Sequence, residues 1–268
     1  AIKAHAHVDG IALEAVAPGL IDRQAIGLQR LTHRVRRQAM APQGRLDAVG
    51  GGVVEGRRHG ERLAIVGPSG AGKSTFVRLL SRFYDPQHGT ITLDGVDLRD
   101  LKQQWLRTSL GIVPQEGFLF AGSVADNIRF GRPGASDEDV RAAAESVGAD
   151  AFIQELADGY DTHVGERGTH LSAGQRQLIA FARAMLANPR LLVLDEATSS
   201  VDVATEQRLA DGLRSLVAGR TSFIVAHRLT TIRGADRIVV IDQGRKLAEG
   251  TPAEIQRNEA VLEAYLAA

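Results

Sequence analysis

Cysteine is absent from the 268-residue chain, which excludes disulfides, thiolate metal sites and cysteine nucleophiles. Net charge is absent too: 32 Lys and Arg balance 32 Asp and Glu. With a pI near 7.3, no global field draws the protein to nucleic acid or to anionic lipid. Long hydrophobic runs are also lacking. None approaches the ~20 residues that cross a bilayer, and no basic-then-apolar leader opens the sequence. Any membrane part is therefore expected outside it. Aromatic residues make up only 4%, and the eight Phe, three Tyr and one Trp begin at Phe76. No internal repeat occurs, so two tandem copies of one domain are excluded.

What is present is a chain with 44% hydrophobic residues, enough for one large globular domain or two lobes. Its first sixty residues differ from the rest. They contain nine Lys and Arg against five Asp and Glu (+4), leaving 23 against 27 (−4) for the remainder, and they show no clear period-2 stretch. Two readings of residues 1–58 stay open. One is a divergent N-terminal antiparallel sheet; the other is an out-of-frame stretch of GC-rich coding sequence.

From Glu61 the pattern becomes legible. Leu63-Ala64-Ile65-Val66 predicts a short buried strand. The glycine-rich Gly67-Pro68-Ser69-Gly70-Ala71-Gly72-Lys73-Ser74-Thr75 follows, then a helix over 74–83 with Phe76, Leu79, Leu80 and Phe83 on one face. Strands are expected at 89–93, 110–113, 191–194, 222–225 and 237–241. A helical stretch over 123–187 has its best helices at 137–147 and 172–186, and a further helix spans 204–217. The fold class is thus α/β, a P-loop NTPase-like core with a mostly parallel sheet, interrupted by a helical insertion over about 116–187.

The glycines let the backbone bend so that its N–H groups and the following helix start converge on phosphate. Lys73 then bridges the β- and γ-phosphates, and the Ser74 hydroxyl serves Mg²⁺, which prefers oxygen ligands. Four apolar residues, Leu191 to Leu194, place Asp195 at a buried strand end, where a carboxylate is costly unless it meets a cation. Mg²⁺ held through water is that cation. Glu196 comes one residue later and is positioned to polarise a water for attack on the γ-phosphate. Downstream of the helical stretch's middle, Leu171-Ser172-Ala173-Gly174-Gln175 opens a helix, with Ser172 as the expected N-cap.

These three elements in this order resemble the ATP-binding cassette (ABC) ATPases, densely from about Glu61 to Ile255. The resemblance implies an ATP-hydrolysing domain that packs head to tail with a second cassette, the same or a different one. Each ATP then lies between Lys73 of one subunit and Ser172 of the other. It implies that His227 contacts the γ-phosphate, that Gln115 touches Mg²⁺ and the attacking water, and that Asp202 helps position the opposite site. Gly165-Glu166-Arg167-Gly168 resembles a loop of cassette exporters, so Glu166 is expected to couple to transmembrane domains, fused or separate, at the cytoplasmic face of the cell membrane. No nucleic acid partner is expected. Position 173 is Ala where Gly is commonest. Family cassettes also offer an early aromatic residue to adenine, and here none precedes Phe76. Stacking is worth ~1–3 kcal/mol, so ATP is expected to bind more weakly, with a raised KM. A soluble cassette ATPase acting as a mechanical clamp and a catalytically impaired ATP-binding module are the alternatives.

Overall fold

The computed structural model describes residues 60–266 except 88, 94, 95, 116, 166, 167, 196–202, 227–231 and 233. The expected N-terminal antiparallel sheet lies outside them. In chain order the strands are β1 (Arg62–Val66), β2 (Thr92–Leu93), β3 (Val96–Asp97), β4 (Leu110–Val113), β5 (Leu191–Asp195), β6 (Thr221–Val225), β7 (Arg237–Asp242) and β8 (Arg245–Gly250). The chain forms two compact units, Ala1–Leu106 with Leu229–Ala268, and Arg107–Arg228.

In the first unit β1 pairs parallel with β7, and β7 pairs antiparallel with β8. Leu63, Ala64, Ile65 and Val66 are all buried, as expected of a strand covered on both faces. The start of this sheet is pinned by Asp236, whose carboxylate accepts from the Arg62 backbone N–H at 2.8 Å and from its guanidinium at 2.9 Å. The β7–β8 connection is a two-residue turn with Gln243 at φ 46° and Gly244 at φ 76°. Both values suit a type I′ turn, whose twist matches the strands it joins. A separate antiparallel pair, β2 with β3, occupies part of the expected 89–93 strand region.

The helix after the phosphate loop is shorter than its apolar pattern predicts. It spans Lys73–Leu80 and buries Phe76, Leu79 and Leu80, but Phe83 is 66% exposed. Arg82 takes φ 51°, its N–H donates to the Leu79 carbonyl, and the Phe83 N–H donates to that of Arg78. These two bonds close a Schellman motif, which ends the helix and turns Phe83 outward. The Arg82 guanidinium stabilises the turn by donating to the Leu101 and Arg99 carbonyls and to Asp85.

The second unit has β5 between β4 and β6, all parallel, in register Val113 with Leu194 and Asp195 with Val225. The long helix Ala173–Ala187 packs on Val124–Arg129, Asp137–Ser146 and Val203–Val217. Its Ile179 and Phe181 are fully buried. Ser123 and Ser136 start their helices with reciprocal capping boxes to Asp126 and Asp139, each satisfying two N–H groups that a helix start otherwise leaves unpaired.

Candidate functional site

The loop 67–75 leaves the end of β1 and turns into the helix Lys73–Leu80. Gly67 is where it passes closest to other backbone: a Cβ there would lie 2.1 Å from the Ile241 carbonyl oxygen of β7. No side chain fits, so only glycine allows this approach. Past Pro68, Ser69 and Gly70, which are exposed, the Ala71 N–H donates to the Pro68 carbonyl, and the Ala71 carbonyl accepts from Gly244 in the β7–β8 turn at 2.8 Å. The hairpin thereby braces the loop from beneath.

Gly72 is the N-cap, with φ 106°, and offers no side-chain cap; the first turn holds no acidic residue. The helix thus presents its early N–H groups and positive dipole end without a neutralising side chain, the arrangement that suits an anion. Lys73 is only 6% exposed, and its ammonium donates to the Gly67 and Pro68 carbonyls at 2.8 and 2.9 Å. Those bonds hold the charge inside the curve of the loop. Ser74 is exposed and Thr75 half-buried beside it. The cradle, the cation and the hydroxyl fit a nucleotide triphosphate.

In the second unit the three parallel strands end together. Gln115 follows β4 and is exposed, Asp195 is the half-buried last residue of β5, and Ala226 follows β6. Gln115 and Asp195 therefore emerge on the carboxyl edge of one sheet, where α/β proteins place ligands. The oxygen donors of Asp195 and Gln115 on this edge are of the kind that suits Mg²⁺. Glu196, Asp202, His227 and Glu166 lie outside the described residues.

Leu171 is buried and Ser172 caps the helix Ala173–Ala187. The Gln175 N–H donates to the Ser172 hydroxyl at 3.2 Å, and the Gln175 side-chain oxygen accepts from the Ser172 N–H at 2.9 Å. Gln175 therefore completes a capping box, a role that the sequence pattern S-x-x-Q carries. Ser172 and Ala173 are exposed, whereas Gly174 is buried. A hydroxyl has one donor and two acceptor sites, so Ser172 keeps a proton to offer an outside group while it caps its own helix.

Sequence reasoning did not single out an aromatic surface near Gln115. Phe118, Phe120 and Phe130 are exposed, with ring centroids 5.2 Å apart for the first two and 4.5 Å for the last two. The signal available was the alternation Phe118-Leu119-Phe120, in which Leu119 alone is fully buried.

Comparison with known proteins gives one consistent result. The ABC transporter family model matches residues 56–199, just over half of the chain, and a model for the branched-chain amino acid ATP-binding cassette transporter matches 245–266. An uncharacterized ABC transporter ATP-binding protein of Bacillus subtilis, YknV, is 56% identical over 71% of this chain and 32% of its own length. An ATM1-type heavy metal exporter of Novosphingobium aromaticivorans is 48% identical over 75% of this chain and 33% of its own. A solved bacterial Atm1-family ABC exporter with ATP bound superposes with a TM-score of 0.72 at 47% identity, covering 78% of this chain and 37% of that one. The chain thus spans about a third of the length of these relatives.

Proposed function

The chain belongs to the ABC transporter family, and on that premise we propose that it is the ATP-hydrolysing nucleotide-binding domain of an exporter. The observation that carries this reading is the buried Lys73 ammonium, held within a glycine loop at a helix start that no side chain caps. Lys73 and the loop N–H groups bind the phosphates and fix their orientation. Glu196, one residue past the end of β5, takes the proton of the attacking water. His227 contacts the γ-phosphate. Gln115 orients the water from the neighbouring strand end. Ser74, Asp195 and Gln115 are the residues that would hold Mg²⁺, which when bound would offset phosphate negative charge.

The exposed start of the helix Ala173–Ala187 serves a second cassette, whose ATP accepts from Ser172, with Asp202 in the loop that meets the opposite site. Two cassettes close on ATP and reopen after hydrolysis. The exporter assignment is supported by the names of the relatives above. The helical segment 116–187 carries both Glu166 and the helix Ala173–Ala187, the signature helix, named for the Leu171-Ser172-Ala173-Gly174-Gln175 element on which it opens. The three exposed phenylalanines near Gln115 suit a face turned toward transmembrane domains, at the cytoplasmic side of the membrane. Comparing ATPase rates of the full-length protein and its Glu196→Gln variant tests the reading. A loss of about 10²–10⁴-fold is expected, and full activity in the variant would overturn the assignment of Glu196.

A further inference from the structure

The segment 114–120, which carries Gln115, leaves β4 and is fastened along the helix that begins at Ala173. The buried Gln177 donates to the Pro114 carbonyl at 3.4 Å. At Gly117 the two backbones touch, since a Cβ there would lie 2.6 Å from the carbonyl carbon and oxygen of Arg176. Farther along the helix, Arg183 spreads its guanidinium over three acceptors. It donates to the Phe118 carbonyl at 3.0 Å, the Asn127 carbonyl at 2.9 Å and the Asn127 side-chain oxygen at 3.0 Å.

Asn127 completes the arrangement from the Val124–Arg129 helix. It is 1% exposed; its side-chain oxygen accepts from the Phe120 N–H at 2.8 Å, and its amide donates to the Phe120 and Ser123 carbonyls at 3.0 Å. The guanidinium also stacks 5.3 Å from the Phe120 ring and 5.8 Å from that of Phe130. All three acceptors of Arg183 are neutral oxygens, and burial pulls its pKa down to about 10. Arg183 is half-buried, and a guanidinium held partly out of water is a costly way to fill space that an apolar side chain would fill more cheaply. What the planar fork provides is simultaneous reach to three fixed directions, which neither Lys nor a hydrophobe can supply.

We propose that Arg183 and Asn127 are positioning residues that clamp segment 118–120 to the signature helix, so that Gln115 and Ser172 shift as one body. This rests on the roles given above to Gln115, at the protein's own ATP, and Ser172, at its partner's. A displacement at the partner's nucleotide is thereby passed to the water-orienting side chain of the other site. The Phe118 and Phe120 rings are carried along on the same body.

The test uses the full-length protein in two measurements. In Arg183→Met, hydrogen exchange at the Phe120 amide should rise about tenfold or more, with Val193 in β5 unchanged. Wild-type protection at Phe120 overturns the clamp. Should that variant fail to fold, Arg183→Lys keeps the charge but loses the fork, and wild-type protection of Phe120 in it overturns the clamp equally. For the coupling, Gln115→Ala and Arg183→Met should each lower the ATPase kcat about tenfold with KM within about twofold, and the double variant should be no slower than the slower single one. Losses that multiply overturn the coupling, since a merely structural role adds independently. A wild-type kcat in Gln115→Ala instead overturns the role given to Gln115, and the Phe120 exchange still decides the clamp.

Discussion

Two helix starts in this protein are finished in opposite ways. At Gly72 the helix has no side-chain cap, and the cation that follows is buried in the loop. At Ser172 the helix is capped twice over by its own Ser172 and Gln175. An open start leaves donors for an anion to complete, so ligand binding and local order are linked there. A closed start is finished before any ligand arrives and can offer an ordered surface to a second molecule. In the proposed function the protein's own site and the surface for its partner's are thus separated by the chemistry of capping. Ser123, Ser136 and Thr251 close their helices in the same way as Ser172; the helix Asp150–Gln154 also lacks a side-chain cap, but it carries the acidic Asp150 in its first turn, where the helix after Gly72 has none.

The most severe way to break the contrast is Gly67→Ala. Its Cβ would collide with the Ile241 carbonyl at 2.1 Å, so the loop must shift. A stability loss of about 1–3 kcal/mol is expected by denaturant titration, with ATP affinity falling beyond that of the next variant. Lys73→Met removes charged hydrogen bonds to phosphate worth about 1.5–3 kcal/mol, or roughly 10- to 150-fold in ATP Kd. Equilibrium titration with a fluorescent ATP analogue reads this directly, and an unchanged Kd would contradict the role of the open start.

Ser172→Ala probes the closed start. Losing its cap should cost about 0.5–2 kcal/mol of stability, while the Kd of its own phosphate loop stays within about twofold. A Kd that rises as far as in Lys73→Met would erase the distinction between the two starts. The smallest effect separates scaffold from chemistry. The Arg62 side chain holds the Asp236 carboxyl below its ordinary range, so the pair contributes stability above the unfolded value, about pH 4, and loses it as pH falls through the lowered folded value. In Asp236→Asn the acid limb of a pH–stability curve should flatten with ATP KM unchanged. Because the pair is about half exposed, its contribution at neutral pH is at most about 1 kcal/mol.

Much of this was legible in advance. Consecutive apolar residues marked β1 and β5 because strands covered on both faces need no alternation, and Ser172 as an N-cap marked the start of the helix Ala173–Ala187. The helix after the phosphate loop was overextended to Phe83, because an apolar period carries no information about Arg82 adopting a left-handed turn. Strand β8 was missed: of its Arg245-Lys246-Leu247-Ala248-Glu249-Gly250 only Ala248 is buried, so neither face reads as apolar. Pairing with β7 defines it instead. The clamp was invisible for a similar reason, since Arg183 and Asn127 meet across a long stretch of chain and neither belongs to a recognisable pattern.

By itself the sequence determined which chemical groups the protein owns and the local elements that carry them, because caps, turns and strand periodicity are set by residues within a turn or two of each other. Only the tertiary structure decided what those elements rest on. It set the β7 carbonyl against Gly67, the hairpin turn beneath Ala71, and the guanidinium that ties the Gln115 segment to the signature helix. Such contacts join residues far apart in the chain. They form only when packing of the whole unit offsets the entropy of closing the loops between them.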